Sequence, residues 1–308
     1  MDSAKDLAAE PAPDPAIVTR GLTVEYKSGA GIFDVDLSVA RGEVFGFLGP
    51  NGAGKTTAIR TLLDLLRPDR GSVSVLGRPV HGGHGSSGEL RRRIGYLPGD
   101  LELFGGLRAR ELLEFFAGLY GRPPSRRDEM LDRLGFPRHA LDRKVKLCST
   151  GMRQMLGLTI AFQHEPELLI LDEPTTGLDP LVRDAFLGIV RDARTRGQTV
   201  FLSSHVLDEV ERCADRVGII HRGRLHRVAR IDELKAAGRR VVTLRWRGGR
   251  SESFESDEPP AALLASTAAR ADGEDDSLQD VEIRPLGLDE IFRRVVEGSQ
   301  EPAPGAKP

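Results

Sequence analysis

The run Gly49-Pro50-Asn51-Gly52-Ala53-Gly54-Lys55-Thr56 fits the pattern GxxxxGK[ST], and residues of those types at that spacing wrap a phosphate. The glycines let the backbone close around an anion and aim its N–H groups inward. Lys55 adds a full positive charge, and the hydroxyl of Thr56 is a hard ligand for a magnesium ion. Farther along, Leu168-Leu169-Ile170-Leu171-Asp172-Glu173 is an apolar run ending in two acids. At the tip of a strand facing the phosphate loop, Asp172 is placed to direct Mg²⁺, and Glu173 to polarise a water attacking the terminal phosphate. Together these two runs specify binding and hydrolysis of a nucleoside triphosphate.

Elements must hold them in register. Gly42–Leu48 reads as a short buried strand before the glycine loop, and Lys55–Leu66 as a helix after it, with Ile59, Leu62, Leu63 and Leu66 on one face. Helix N-terminus and lysine then act on the same anion. Ala16–Val24 and Phe33–Val39 alternate like strands of a sheet, and Leu168–Leu171 and Thr199–Ser203 read as buried parallel strands with a helix over Leu181–Arg194 between them. Between them, Arg110–Tyr120 and Asp128–Leu134 form amphipathic helices separated by Pro123-Pro124. The organisation expected is a disordered tail over 1–15, an α/β ATPase domain over 16–234 with a helical subdomain at about 107–155, an accessory domain over 235–297, and a loose tail over 298–308. In the accessory part Val241–Arg247 alternates like a strand and Leu288–Val296 reads as a short amphipathic helix.

Composition narrows the class. The 308 residues carry a formal net charge of -2, so no basic field points to nucleic acid, and two cysteines, Cys148 and Cys213, make no disulfide framework. No apolar run approaches the roughly 20 residues that span a bilayer. These features lead us to expect a soluble, cytoplasmic chain.

Four further features follow the same order as in one superfamily. Cys148-Ser149-Thr150-Gly151-Met152-Arg153-Gln154 precedes an apolar helix, Gly177-Leu178-Asp179 follows the acidic pair, His205 ends the strand Phe201-Leu202-Ser203-Ser204, and Tyr26 ends a strand upstream of the phosphate loop. In this the chain resembles the ATP-binding-cassette (ABC) ATPases over roughly residues 16–231. The resemblance implies a P-loop NTPase fold: α/β, with a mixed, mainly parallel sheet, an antiparallel β subdomain and a helical subdomain, here followed by a small α+β C-terminal domain. It implies ATP and Mg²⁺ as cofactors. By position it implies that Tyr26 stacks on adenine, that Asn51 through Thr57 cradle the phosphates, that Glu173 is the general base, and that His205 contacts the γ-phosphate. Ser149 and Gly151 then belong to the signature loop, which reaches the γ-phosphate of a second copy, and Asp179 helps join the two copies.

Two departures stand out. The family signature typically reads LSGGQ, where this chain has Cys148-Ser149-Thr150-Gly151-Met152. In Ile94-Gly95-Tyr96-Leu97-Pro98-Gly99-Asp100, which resembles the approach to the Q-loop, Gly99 stands where a glutamine is expected. Glycine offers no side chain to metal or water, and Asp100, acting through a water, is the candidate substitute. The resemblance implies a homodimer that drives a separate integral-membrane permease from the cytoplasmic face of the membrane, docked at the helical region and the Gly99 loop. The signature variant and the C-terminal domain are similar to those of bacterial exporters of drugs, antibiotics or surface polymers. The alternatives are an importer's ATPase and a soluble cassette ATPase acting on ribosomes or DNA.

Overall fold

The computed structural model describes residues 15–81, 87–236, 240–247, 249–256, 258–259, 262–263, 278–285, 288 and 292. The expected tail 1–15 apart from Pro15, which begins a strand, the expected tail 298–308, and all of the expected helix Leu288–Val296 except Leu288 and Phe292, lie outside them. The chain divides into two compact units, with the division between Val228 and Ala229.

In the first unit the chain runs through β1 (Pro15–Glu25), β2 (Gly31–Ala40), β3 (Val44–Leu48), α1 (Lys55–Leu62), β4 (Arg70–Val75), β5 (Arg78–Pro79), α2 (Ser87–Arg91) and β6 (Ile94–Leu97). The helical region follows as α3 (Ala109–Tyr120), α4 (Arg127–Arg133) and α5 (Thr150–Phe162). The chain then alternates β7 (Leu168–Asp172), α6 (Pro180–Thr195), β8 (Thr199–Ser204), α7 (Leu207–Cys213), β9 (Arg216–His221) and β10 (Arg224–Arg230), of which Ala229 and Arg230 fall past the division. Two sheets result. One is antiparallel in the order β2-β1-β4-β5. The other runs β10-β9-β3-β8-β7-β6, and its neighbours from β9 to β6 pair in parallel.

The parallel strands have to be apolar without alternation because helices cover them on both faces. Every residue of β3, β7 and β8 is buried. Phe45 stacks on Phe201 with ring centroids 5.8 Å apart, and Phe47 meets the same ring at 5.4 Å. Each such ring contributes on the order of 1.5–3 kcal/mol by leaving water. One continuous core joins these rings to Ile59 and Leu62 of α1 and to Ile17, Val35 and Val73 of the antiparallel sheet, so the helix behind the glycine loop is clamped from two sides. α1 ends at Leu62, four residues short of the extent that its apolar spacing predicts. Asp64 takes a left-handed backbone (φ 56°) there, with its carboxylate 2.8 Å from His81 Nδ1, and Leu65 turns out to solvent.

The second unit, described by itself, holds α8 (Ile231–Ala236) and an antiparallel sheet of β11 (Arg240–Trp246), β12 (Ser251–Ser256) and β13 (Leu278–Pro285), with β11 in the middle. Its core gathers Val242, Leu244, Trp246 and Leu263. Among the described residues of the chain, no helix is long and apolar enough to cross a membrane.

Packing between β6 and α5 tolerates no side chain at Gly95, where a Cβ would lie 2.1 Å from the carbonyl oxygen of Ala161. Gly95→Val therefore forces strand and helix apart. We expect a loss of at least about 1–3 kcal/mol in folding stability, as overpacked cores show, read by chemical denaturation.

Candidate nucleotide-binding site

The tips of β3, β7 and β8 end in one layer. Leu48 pairs with Ser204 and Asp172 with Ser203, so the glycine loop, the acidic pair and His205 leave the sheet side by side. Ligands of open parallel sheets bind beyond the strands' carboxyl ends for this reason. A cleft of about 540 Å³ opens there, lined among others by Tyr26, residues 50–57, Gly99, Asp100, Asp172, Glu173 and His205.

The loop is built by its backbone. Gly54 caps α1 at φ 107°, a conformation closed to L side chains, and a Cβ there would lie 2.6 Å from Ile32 Cγ2. Lys55 folds back over the loop and is only 6% exposed. Its ammonium donates to the carbonyl oxygens of Gly49 (2.7 Å) and Pro50 (3.3 Å), and lies 3.1 Å from Glu173 Oε1. The other carboxylate oxygen of Glu173 lies 2.5 Å from His205 Nδ1. A carboxylate can only accept, so the ring donates from Nδ1. Glu173 thus bridges the phosphate-loop lysine and the histidine. It holds this place in a left-handed backbone (φ 51°), with its N–H donating to Ser203 Oγ at 3.1 Å. Strain of that kind persists where surrounding bonds over-determine a residue.

Asp172, 1% exposed, accepts from Thr56 Oγ1 at 2.8 Å and from Ser203 Oγ at 2.5 Å. The hydroxyl of Thr56 and this carboxylate are the pair of hard oxygens that a magnesium ion prefers. Gly99 lies against the same carboxylate: a Cβ would sit 3.2 Å from Asp172 Oδ2. Burial first, and Asp172 second, push the Tyr96 hydroxyl up to about 12, so it stays neutral beside the acid. Tyr26 follows the end of β1, 40% exposed, with its hydroxyl 3.4 Å from Thr57 Oγ1.

Four of the sequence candidates do not line this cleft: Gly49, whose carbonyl oxygen accepts from Lys55, and Ser149, Gly151 and Asp179. Ser149 is the N-cap of α5, where its Oγ accepts from the N–H of Met152 at 3.2 Å. Asp179 caps α6 in the same way through Val182 N–H at 3.0 Å, a contact typically worth about 1 kcal/mol. Gly151 approaches the Gly177 carbonyl so closely that a Cβ would stand 3.1 Å from its oxygen. The turn of Ser149 and Gly151 and the turn before Asp179 are therefore packed together, outside the residues that line the cleft.

Two residues escaped the sequence reading. Ser203 serves Asp172 and the backbone of Glu173 at once. Gln154 is buried in α5 and donates from Nε2 to the Pro174 carbonyl oxygen at 2.8 Å, tying the signature helix to the turn after Glu173. Ser203 carries only a weak signal in hindsight, as the first of two serines that end the apolar run Val200-Phe201-Leu202. Gln154 carries none that periodicity would separate from an ordinary helix residue.

Comparison with known proteins fits this geometry. The family model described as ABC transporter matches residues 32–176. The bacitracin transport ATP-binding protein BcrA of Bacillus licheniformis is 39% identical over 73% of this chain and 73% of its own length. The daunorubicin/doxorubicin resistance ATP-binding protein DrrA of Streptomyces peucetius is 38% identical over 84% of this chain and 78% of its own. The probable multidrug ABC transporter ATP-binding protein YbhF of Escherichia coli is 36% identical over 72% of this chain, which spans only 38% of that relative's length. Among solved structures, an ATP-binding subunit of an ABC transporter superposes with a TM-score of 0.64 at 30% identity, covering 72% of this chain and 92% of that one. The chain belongs to the ATP-binding proteins of the ABC transporter family, and its fold is that family's cassette fold.

Ser203→Ala removes one donor to a buried carboxylate and one acceptor from the Glu173 N–H. An unmet buried polar group costs about 1–3 kcal/mol. We expect kcat/KM for ATP to fall by about 10-fold on that basis, measured by steady-state phosphate release.

Proposed function

We propose that the chain is the ATP-hydrolysing, nucleotide-binding subunit of an ABC exporter, working as a homodimer that powers a separate integral-membrane permease. The observation that carries the reading is the meeting of Lys55, Asp172, Glu173 and His205 in one cleft. In this reading residues 49–57 hold the triphosphate and Tyr26 stacks on the base. Glu173 takes the proton of the attacking water, and His205 keeps the carboxylate aimed. Thr56 and Asp172 would hold Mg²⁺, which neutralises phosphate charge when bound.

Support for the homodimer comes from where Ser149 and Gly151 lie. They do not line the cleft of their own chain, and a twofold arrangement would bring each signature turn to the partner's nucleotide. Leu147, 66% exposed, and Leu181, 83% exposed, flank Ser149 and Asp179 and support a face that another copy covers. Residues 235–297 act as an accessory domain that supports this dimer.

A second cleft of about 460 Å³, lined by Leu63, Arg92, Tyr96, Phe116, Leu119 and Tyr120 among others, supports permease docking. Phe104 and Phe115 are exposed, and their rings meet at 5.5 Å. Tyr96 lines that groove three residues before Gly99, so a partner seated there is joined by a short backbone segment to Asp172. The permease places the ATPase on the cytoplasmic face of the membrane and selects the cargo. Export is favoured over import, and over a role on ribosomes or DNA, by relatives named for multidrug transport and for bacitracin and daunorubicin.

Glu173→Gln keeps the shape of the side chain and removes the base. ATP binding should persist while turnover falls by at least about 100-fold, as loss of a general base does. The variant should elute as a dimer with ATP and magnesium. A variant that stays monomeric, or turns over normally, contradicts the reading.

A further inference from the structure

Among the described residues only two carboxylates are almost sealed from solvent: Asp172, at 1% exposure, and Glu209, at 2%. The site explains the first. Glu209 lies on α7, outside the residues that line the cleft. Its contacts gather three segments that do carry the site. Oε2 accepts from Thr175 Oγ1 at 2.7 Å and from Ser204 Oγ at 3.5 Å. Oε1 lies 3.2 Å from Arg183 Nε, an ion pair that is not aligned as a hydrogen bond. Thr175 is two residues past Glu173, Ser204 directly precedes His205, and the N–H of Arg183 donates to the Asp179 carbonyl oxygen at 2.9 Å.

We propose that Glu209 is a positioning residue for hydrolysis, holding the turn that carries Glu173 and the strand end that carries His205 at hydrogen-bond distance and tying both to the Asp179 turn. The inference rests on the ATPase reading above. Shape alone does not require an acid here, because burying a charge is costly and an apolar residue of like volume often serves a fold as well or better. A sealed carboxylate does something an apolar residue cannot: it accepts from Thr175 and Ser204 and faces Arg183, so displacing any one of these segments weakens a buried polar contact shared with the others. A shift of the Asp179 turn then reaches the Glu173–His205 pair through Arg183 and Glu209, without passing through the nucleotide.

The test uses the full chain with Glu209→Ala, Glu209→Gln and Thr175→Val, measuring steady-state ATP hydrolysis, ATP affinity and the ring ¹⁵N shifts of His205. Glu209→Ala and Thr175→Val should lower kcat by about 10-fold, the scale of a sub-ångström misplacement. ATP affinity should stay within about two-fold, because no group touching nucleotide has changed. Glu209→Gln still presents an oxygen to Thr175 and Ser204 and should recover most of kcat. The His205 ring shifts should move in Glu209→Ala and stay in place in Glu209→Gln. Should Glu209→Ala fail to fold, Thr175→Val, which keeps the ion pair to Arg183, carries the test alone. A wild-type kcat in Thr175→Val, or in folded Glu209→Ala, overturns the proposal. An unaltered chain that does not hydrolyse ATP overturns the ATPase reading instead, and the His205 shifts then decide the positioning claim by themselves.

Discussion

The structure turns on the carboxylate of Glu173, held 3.1 Å from the Lys55 ammonium on one side and 2.5 Å from His205 Nδ1 on the other. Three groups from three separate strand ends can meet only because β3, β7 and β8 are parallel neighbours whose tips share a layer. That requirement explains features that would otherwise look unrelated. The strand interiors are apolar because helices bury both faces, and polar residues, Asp172 and Ser203 among them, stand at the ends that meet the site. Glu173 accepts a left-handed backbone because Ser203 takes its N–H. Gly99 carries no side chain where a Cβ would stand 3.2 Å from Asp172 Oδ2.

Much of this arrangement was legible in the sequence. The phosphate loop declares itself because only glycines, a lysine and a threonine at fixed spacing can wrap an anion at a helix start, and the pair Asp172-Glu173 because acids at the end of a long apolar run are costly unless they are used. Boundaries were less legible. The apolar face of α1 continues to Leu66 in the sequence, yet the chain turns at Asp64, where the side chain meets His81 across the fold, a contact that no local pattern announces. Ser203, Gln154 and Glu209 were missed for the same reason. Their roles come from partners 31, 20 and 34 residues away in the chain, and serine, glutamine and glutamate are unremarked in any strand or helix until those partners are known.

The signature departure has a local physical context. Thr150 occupies the place of the family's first glycine, and its Cγ2 lies 3.1 Å from where a Cβ would stand on Gly177. The extra bulk of threonine is met by a glycine in the facing turn. Ser149 keeps its cap and Gly151 its close approach to Gly177.

In the proposed cycle each site is shared between two copies. The most direct measurement is ATP hydrolysis by an equimolar mixture of two inactive variants, Lys55→Ala and the double substitution Ser149→Ala with Gly151→Val. Mixed dimers contain one intact phosphate loop facing one intact signature turn, so activity should return on mixing. Hydrolysis at the unaltered rate by the Ser149/Gly151 variant alone would contradict the account, because its signature turns would then contribute nothing to the chemistry.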